Sequence, residues 1–588
     1  MTVPRSLYHM QTFATSLRPL SPVLQLRQIM VDLLLSPLVL LSGACLMLAL
    51  ANLPALINRQ PGWNTVRNRQ YGWIAIVTIA LLLLLVQGRI EAVPHPIARW
   101  SLSDILVPPV SIQGNQPGRV LGLGFVAVVL AAFVMPGGAR RDENEESASP
   151  TRHVGPAVLE TDRVLLIAVL AVSLVALLPA NLFCVALSWA ILDVAVGAVW
   201  LYALRPSSSQ WRHILFSWGA GATATLLLWG ATLPRQANFA SGDLSSLSVA
   251  GGSGIALTLA IILRLAPFPF HVLGNRSLVP TESASGEQRW GLLLASQTAP
   301  ALAGIWLLGQ LPGGGALPPL WRQLISALLL TGLVGCGLFA WLSREEHRTV
   351  GWILTAQAGM VVLGGLSAGP EAALAEGMVL VLAGAILSPY TRQKHLALEH
   401  RIAGGIGVAA LAGLPLTWGG DGRLALYQSW LADGSGLNVF LAAGAYLLTT
   451  TAAARTVLRP AATPLDREER IRTGVALGLP ALALLVRSGP LPIPADVPVW
   501  FSILIPLVGG VFLAWSAPSL SPIQERIPLW LPRLLALDWL TPLVDQTGGL
   551  IGRAAQAIHQ VLEGEGALLW VLIGLALGWM LLTTGPPG

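Results

Sequence analysis

Apolar runs of about 20 residues recur along the whole chain, each long enough to cross about 30 Å of hydrocarbon as a helix. They lie near 30–53, 72–88, 119–136, 163–180, 182–204, 212–233, 247–267, 288–309, 322–343, 349–368, 371–390, 403–419, 437–457, 472–487, 498–517 and 566–584. Alternation at strand spacing is absent from these runs, which argues against a membrane β-barrel. The pattern predicts an all-α polytopic membrane protein with about 16 transmembrane helices. The first run is long enough to span, and residues 1–28 before it are polar and proline-containing, so they read as a surface segment rather than a cleavable signal.

Two connectors break the rhythm. Residues 137–162 are charged, rich in Gly, Ser and Pro, and have no apolar face, which predicts a solvated loop. Residues 518–565 place apolar and polar positions at helical spacing, with Trp530 and Trp539 among them. Such a segment lies along a membrane face. Pro528, Pro532 and Pro542 divide it into pieces.

Composition agrees with the membrane reading. Hydrophobic residues make up 54% of the 588, and charged residues 11%, against roughly 25% in soluble chains. The formal charge of +6 rests on arginines spread over many short loops, which is membrane topology rather than a nucleic-acid surface. Numbering the predicted spans, loops after odd spans hold 24 Lys and Arg, while the remaining loops and the N-terminal segment hold 10. The excess puts the odd loops in the cytoplasm and both termini on the outer side, as in a bacterial inner membrane.

Little points to cofactor chemistry. Cys45, Cys184 and Cys336 each sit in an apolar run without a CxxC partner. The histidines are scattered, and no dinucleotide fingerprint follows a strand, so no cofactor and no metal are expected.

One span carries a charge. In the seventh the chain reads IILRLAPFPFHVLGN, so that Arg264 is followed by Pro267 and Pro269. An arginine inside hydrocarbon faces the protein interior or a wet cavity. Prolines free backbone carbonyls that need other partners. Together these predict a discontinuous helix beside a polar cavity, although an arginine snorkelling from an ordinary helix end fits the same residues.

RLAPFPFH resembles the K-x-x-x-x-P-x-H stretch of the antiporter-like membrane subunits of respiratory complex I, membrane-bound hydrogenases and Mrp-type antiporters. Arg264 stands at the family's lysine position, seven residues before His271. ALAGLPLTWGGDGR (410–423) is similar to a second family segment, with Pro415 as its helix break and Arg423 at its lysine or glutamate position. Weaker similarity runs through 181–193, 349–365 and 563–572.

The resemblance implies two inverted five-helix repeats, each with a broken helix, and a lateral segment before a final span. The expected organisation is a surface segment (1–28), N-terminal transmembrane helices (29–136), a cytoplasmic loop (137–162), and repeats at 163–310 and 321–460. Additional helices (461–517), the lateral amphipathic connector (518–565) and a C-terminal anchor (566–588) follow. The implied partners are the bilayer and other membrane subunits of a respiratory or hydrogenase-type complex, with no nucleic acid. The implied role is proton translocation without catalysis by this chain.

The chain departs from the family where protons are expected to move. Lys394 is its only lysine. The family's fifth-helix glutamate falls at Ala190, and Asp193, one turn on, is either a substitute proton carrier or a structural partner for Arg264. The eighth-helix lysine or histidine falls near Ser296 or Gln297, which bind water but do not titrate near neutral pH. In the eleventh span Glu376 is the ionisable residue, placed early, as an interfacial glutamate would be.

Arginine does not release its proton in a protein. The expected axis of Asp193, Arg264, His271, Gln297, Glu376 and Arg423 is therefore either rewired, degenerate, or coupled to a different carrier. The alternatives to a proton-moving subunit are a purely structural one and the membrane partner of an ion or inorganic-carbon uptake system.

Overall fold

The protein is known here as a computed structural model, which describes residues 34, 36–47, 66–86, 95–98, 110–113, 115–135, 156–204, 208–232, 244, 252–272, 290–311, 317–391, 400–459, 467–486, 497–516, 546 and 553. Predicted features at 1–28, in the lateral connector and in the C-terminal anchor lie outside these residues, apart from Gln546 and Arg553.

Helices dominate. The first four are α1 (Ser36–Met47), α2 (Val66–Val86), α3 (Gln116–Val134) and α4 (Pro156–Val175). The next four are α5 (Leu182–Leu204), α6 (Ser208–Thr232), α7 (Gly252–Leu265) and α8 (Trp290–Leu308). Then come α9 (Pro319–Leu342), α10 (Glu346–Ser367), α11 (Pro370–Tyr390) and α12 (His400–Ala412). The last four are α13 (Trp418–Ala432), α14 (Gly436–Leu458), α15 (Arg467–Leu485) and α16 (Val497–Trp515), whose middle at Ile505–Gly509 is π-helical.

Among the described residues eight helices are long and apolar enough to cross a membrane: α3, α5, α8, α9, α10, α11, α14 and α16. The chain is an integral membrane protein. The helices α10 and α11 are almost wholly buried, whereas α16 leaves most of its apolar surface exposed.

Helix starts follow from local chemistry. Asn181 caps α5, its Oδ1 accepting the Cys184 amide at 2.9 Å. Asn115 caps α3 by accepting from the Gly118 amide at 2.6 Å, and the same oxygen accepts Trp306 Nε1 of α8 at 3.2 Å. One cap thus starts a helix and fixes its neighbour.

Three differences from the sequence reading stand out. Two short strands, β1 (His95–Ala98) and β2 (Val110–Ile112), pair antiparallel where none was expected. The helix α4 starts at Pro156, inside the expected 137–162 loop, because proline suits a first helical turn. The expected span 403–419 is the first part of a broken helix: α12 stops at Ala412, and α13 starts at Trp418.

Length separates the half-helices from the spans. At 1.5 Å per residue, α7 (14 residues) is about 21 Å long and α12 (13 residues) about 20 Å, short of about 30 Å of hydrocarbon. Counting α12 and α13 as one broken helix, two consecutive sets of five emerge. They are α4 to α8 and α9 to α14; the fourth of the first set, α7, ends at the segment Ala266–Pro269, and the fourth of the second is broken between Ala412 and Trp418.

Candidate functional site

The break after α7 is built by Ala266, which takes a positive φ of 46°, and by Pro267 and Pro269. A short 3-10 turn, Phe270–Val272, follows. The proline-containing segment rests on the second set of helices. Phe268 packs at Gly332 of α9, where a methyl would meet its Cδ1 at 2.9 Å, and Pro267 lies near Gly359 of α10.

The last turn of α7 carries Arg264, whose side chain is 1% exposed. Its Nη1 donates to Asp193 Oδ1 of α5, and its Nη2 donates to Asp193 Oδ2 at 2.8 Å. Nη2 also reaches Thr225 Oγ1 of α6 at 3.1 Å and the Trp189 carbonyl at 3.4 Å. The guanidinium carbon sits 4.5 Å from the Trp189 ring centroid. Trp189 and Asp193 are four residues apart, so one face of α5 supplies both carboxylate and aromatic ring. Ala190, where the resemblance leads one to expect a glutamate, is exposed.

A cavity of about 60 Å³ opens on this pair, with Ser217 and Gln297 among apolar walls that include Trp200 and Pro300. It has room for several waters. Ser296, on the cavity wall, is fixed: its hydroxyl accepts from Trp200 Nε1 and donates to the Leu293 carbonyl, both at 2.9 Å. Asp193 retains 11% side-chain exposure, so the pair touches the cavity.

The second break lies between α12 and α13, where Gly413 takes φ 87° and Pro415 follows. Beyond it, Arg423 of α13 and Glu376 of α11 are both 0% exposed, with Nε to Oε1 at 2.8 Å. Gln357 of α10 donates to Glu376 Oε2 at 2.6 Å and to the Glu376 carbonyl at 2.9 Å. Its own Oε1 accepts the Tyr446 hydroxyl of α14 at 2.5 Å and Arg423 Nη2 at 3.4 Å. The Tyr446 ring covers the guanidinium, with Cζ 3.4 Å from the centroid. Four side chains close into one ring of contacts.

Two readings are corrected here. Glu376, six residues past Pro370, is sealed among helices rather than open to the surface, and Arg423 compensates its charge. Arg423 is not a loop residue, and so does not belong in the topology count, because α13 carries it back into the core.

His271 is placed apart from both pairs. Its ring stacks on Phe268 with centroids 5.2 Å apart and meets Trp352 of α10 at 4.9 Å. It is not among the residues that line the Arg264 cavity. Gln297 lines that cavity without a role in the ion pair. Thr225, Gln357 and Tyr446 escape the sequence reading. A lone glutamine inside the apolar run TVGWILTAQAGMVVLGG is a legible signal, since buried polar groups in spans are costly. Among the described residues no group of His, Cys, Asp and Glu could hold a metal.

In both places a permanent cation is neutralised by one carboxylate and offered alternative acceptors.

No family model and no curated protein matches the sequence. Solved structures match its fold. Against a chain of the Mrp complex from Dietzia sp. the TM-score is 0.64 over 95% of this chain, at 15% identity, and this chain spans 64% of that one. Against a chain of the membrane-bound sulfane sulfur reductase, an archaeal respiratory membrane complex, the TM-score is 0.59 at 13% identity, covering 94% of this chain and 100% of that one. A chain of respiratory complex I from Thermus thermophilus aligns over 82% of this chain and 98% of that one, at 16% identity, with a TM-score of 0.45. The fold is that of chains found in multisubunit membrane complexes.

Proposed function

We propose that the chain is an antiporter-like membrane subunit of a multisubunit respiratory or hydrogenase-type complex, and that it moves protons by a modified path. The supporting fold likeness is to Mrp and sulfane sulfur reductase chains. The observation that carries the reading is a buried arginine–carboxylate pair at each of two interrupted helices. Buried pairs are poor stabilisers, since well-packed apolar residues often replace them without loss. Two of them at helix breaks therefore point to a role in transport.

In this reading Asp193 is the proton carrier of the first half. With Arg264 drawn toward Thr225 and the Trp189 carbonyl, the carboxylate accepts a proton from water in the cavity. Return of the guanidinium expels it. Arg264 is the switch, and the Pro267–Pro269 break is the hinge that lets it move. Glu376 and Arg423 form the matching element of the second half, with Gln357 as the alternative partner. His271, half-buried against Phe268 and Trp352 at the first break, is a candidate gate.

A structural subunit without transport is the second reading, favoured by the complete sealing of Arg423 and Glu376. Isolation of the tagged chain from native membranes in mild detergent tests the proposal. Co-purifying membrane subunits with an electron-transfer arm are expected. A chain recovered without membrane partners would contradict it.

A further inference from the structure

Each buried carboxylate rests on a glycine. A methyl placed on Gly221 of α6 would have three Asp193 atoms as its nearest neighbours: Oδ1 at 2.7 Å, Cγ and Oδ2 at 3.1 Å. A methyl on Gly422 of α13 would have three Glu376 atoms nearest: Cγ at 2.7 Å, Oε1 at 3.0 Å and Cδ at 3.1 Å. Contacts this short lie inside the repulsive wall of the carbon and oxygen radii. Neither glycine takes the left-handed conformation, so backbone freedom does not account for them. Elsewhere glycines receive a neighbour's backbone, as the Ala445 carbonyl comes to Gly337, 2.5 Å from where a methyl would sit, or an apolar side chain, as Ile305 comes to Gly377 at 2.3 Å. Here the neighbour is the ionisable side chain itself.

Both glycines are tied to the pair by position. Gly221 lies one turn before Thr225, whose hydroxyl reaches either the Gly221 carbonyl at 3.2 Å or Asp193 Oδ2 at 3.4 Å. Gly422 directly precedes Arg423. We propose that Gly221 and Gly422 are positioning residues for the two ion pairs: each is a bare floor that holds a carboxylate against its arginine. In the first half the floor leaves Asp193 one direction of release, toward the cavity beside Ser217 and Gln297. Their part in proton movement rests on the function proposed above, whereas the seating of the carboxylates does not.

The test uses the full chain in its native membranes, with a hydrophobic carbodiimide as probe of carboxyl groups no longer held by an arginine. In Gly221→Ala, labelling of Asp193 should rise about tenfold, the factor set by losing about 1.4 kcal/mol of pairing. In Gly422→Ala, labelling of Glu376 should rise likewise. Gly444→Ala, where a methyl would meet nothing within 4 Å, should leave both carboxylates at the low labelling. If Gly221→Ala prevents assembly, Asp193→Ala together with Arg264→Leu in the same chain should recover it, because the struck group and the charge that it balances are both gone. Wild-type labelling of the carboxylates in Gly221→Ala and Gly422→Ala, or no recovery of assembly once the struck pair is removed, would overturn the proposal. Raised labelling with unchanged proton uptake would leave the seating intact and remove the transport reading instead.

Discussion

The two arginine sites use the same parts in exchanged positions. In α4 to α8 the broken fourth helix sends Arg264 to a carboxylate on the second helix, Asp193, and to a hydroxyl on the third, Thr225. In α9 to α14 the broken fourth helix sends Arg423 to an amide on the second, Gln357, and to a carboxylate on the third, Glu376. One negative charge per set is kept, but its helix is not. The sites also differ in access. Asp193 borders a cavity, while Glu376 is enclosed by Arg423, Gln357 and Gly422. A charge pair at a break can thus be built as an open junction or as a closed ring, and the two should fail in different ways.

Removing the cation from the closed ring should be the most damaging change. Arg423→Ala leaves Glu376 fully buried without its counter-ion, a loss of about 3–5 kcal/mol. The assembled chain should become scarce in the membrane and unfold about 10–20 degrees sooner in detergent, read by fluorescence-detected size exclusion. A stable Arg423→Ala chain would mean that the second site is not sealed.

The open site should tolerate neutralisation better. Asp193→Asn keeps hydrogen-bonding capacity toward Arg264, and the cavity can supply water, so the loss is about 1–3 kcal/mol. Assembly near normal is expected by the same assay. Equal sensitivity of the two sites would erase the distinction between junction and ring.

Transposition sharpens the comparison further. Gln357→Glu with Glu376→Gln moves the charge of the second site to the helix that carries it in the first. The chain should assemble, because Arg423 Nη2 already faces position 357 at 3.4 Å. Failure of this double variant, with each single change also failing, would show that the carboxylate cannot change helices.

The smallest effect concerns single supporting hydrogen bonds. Tyr446→Phe removes the hydroxyl that holds Gln357 Oε1 but keeps the ring over Arg423, for about 1 kcal/mol. A thermal shift of a few degrees in detergent is the expected readout, and a loss like that of Arg423→Ala would make the hydroxyl, not the ring, the main support.

Legibility in the sequence follows the same divide. Arg264 announces itself as a charge within an apolar run, with Pro267 and Pro269 close behind. Asp193 is visible as a lone carboxylate in a span, four residues after Trp189. The second site is harder to read: Glu376 and Arg423 are both singled out in the sequence, but not as partners. Arg423 sits in WGGDGR, whose glycines and charges lower the local hydropathy to that of a loop, although tertiary packing makes it helical. Glu376 and Arg423 are 47 residues apart, and nothing local links them. Even the glycine floors are readable only in three dimensions, since spacing along the chain does not tell which helix a carboxylate will lie on.

Proton uptake by proteoliposomes containing the purified, intact assembly tests the central claim most directly, with native chain compared with Asp193→Asn. The account predicts that driven proton uptake collapses in Asp193→Asn while the assembly stays complete. Uptake equal to that of the native chain would contradict it, and would leave the first pair as part of the architecture alone.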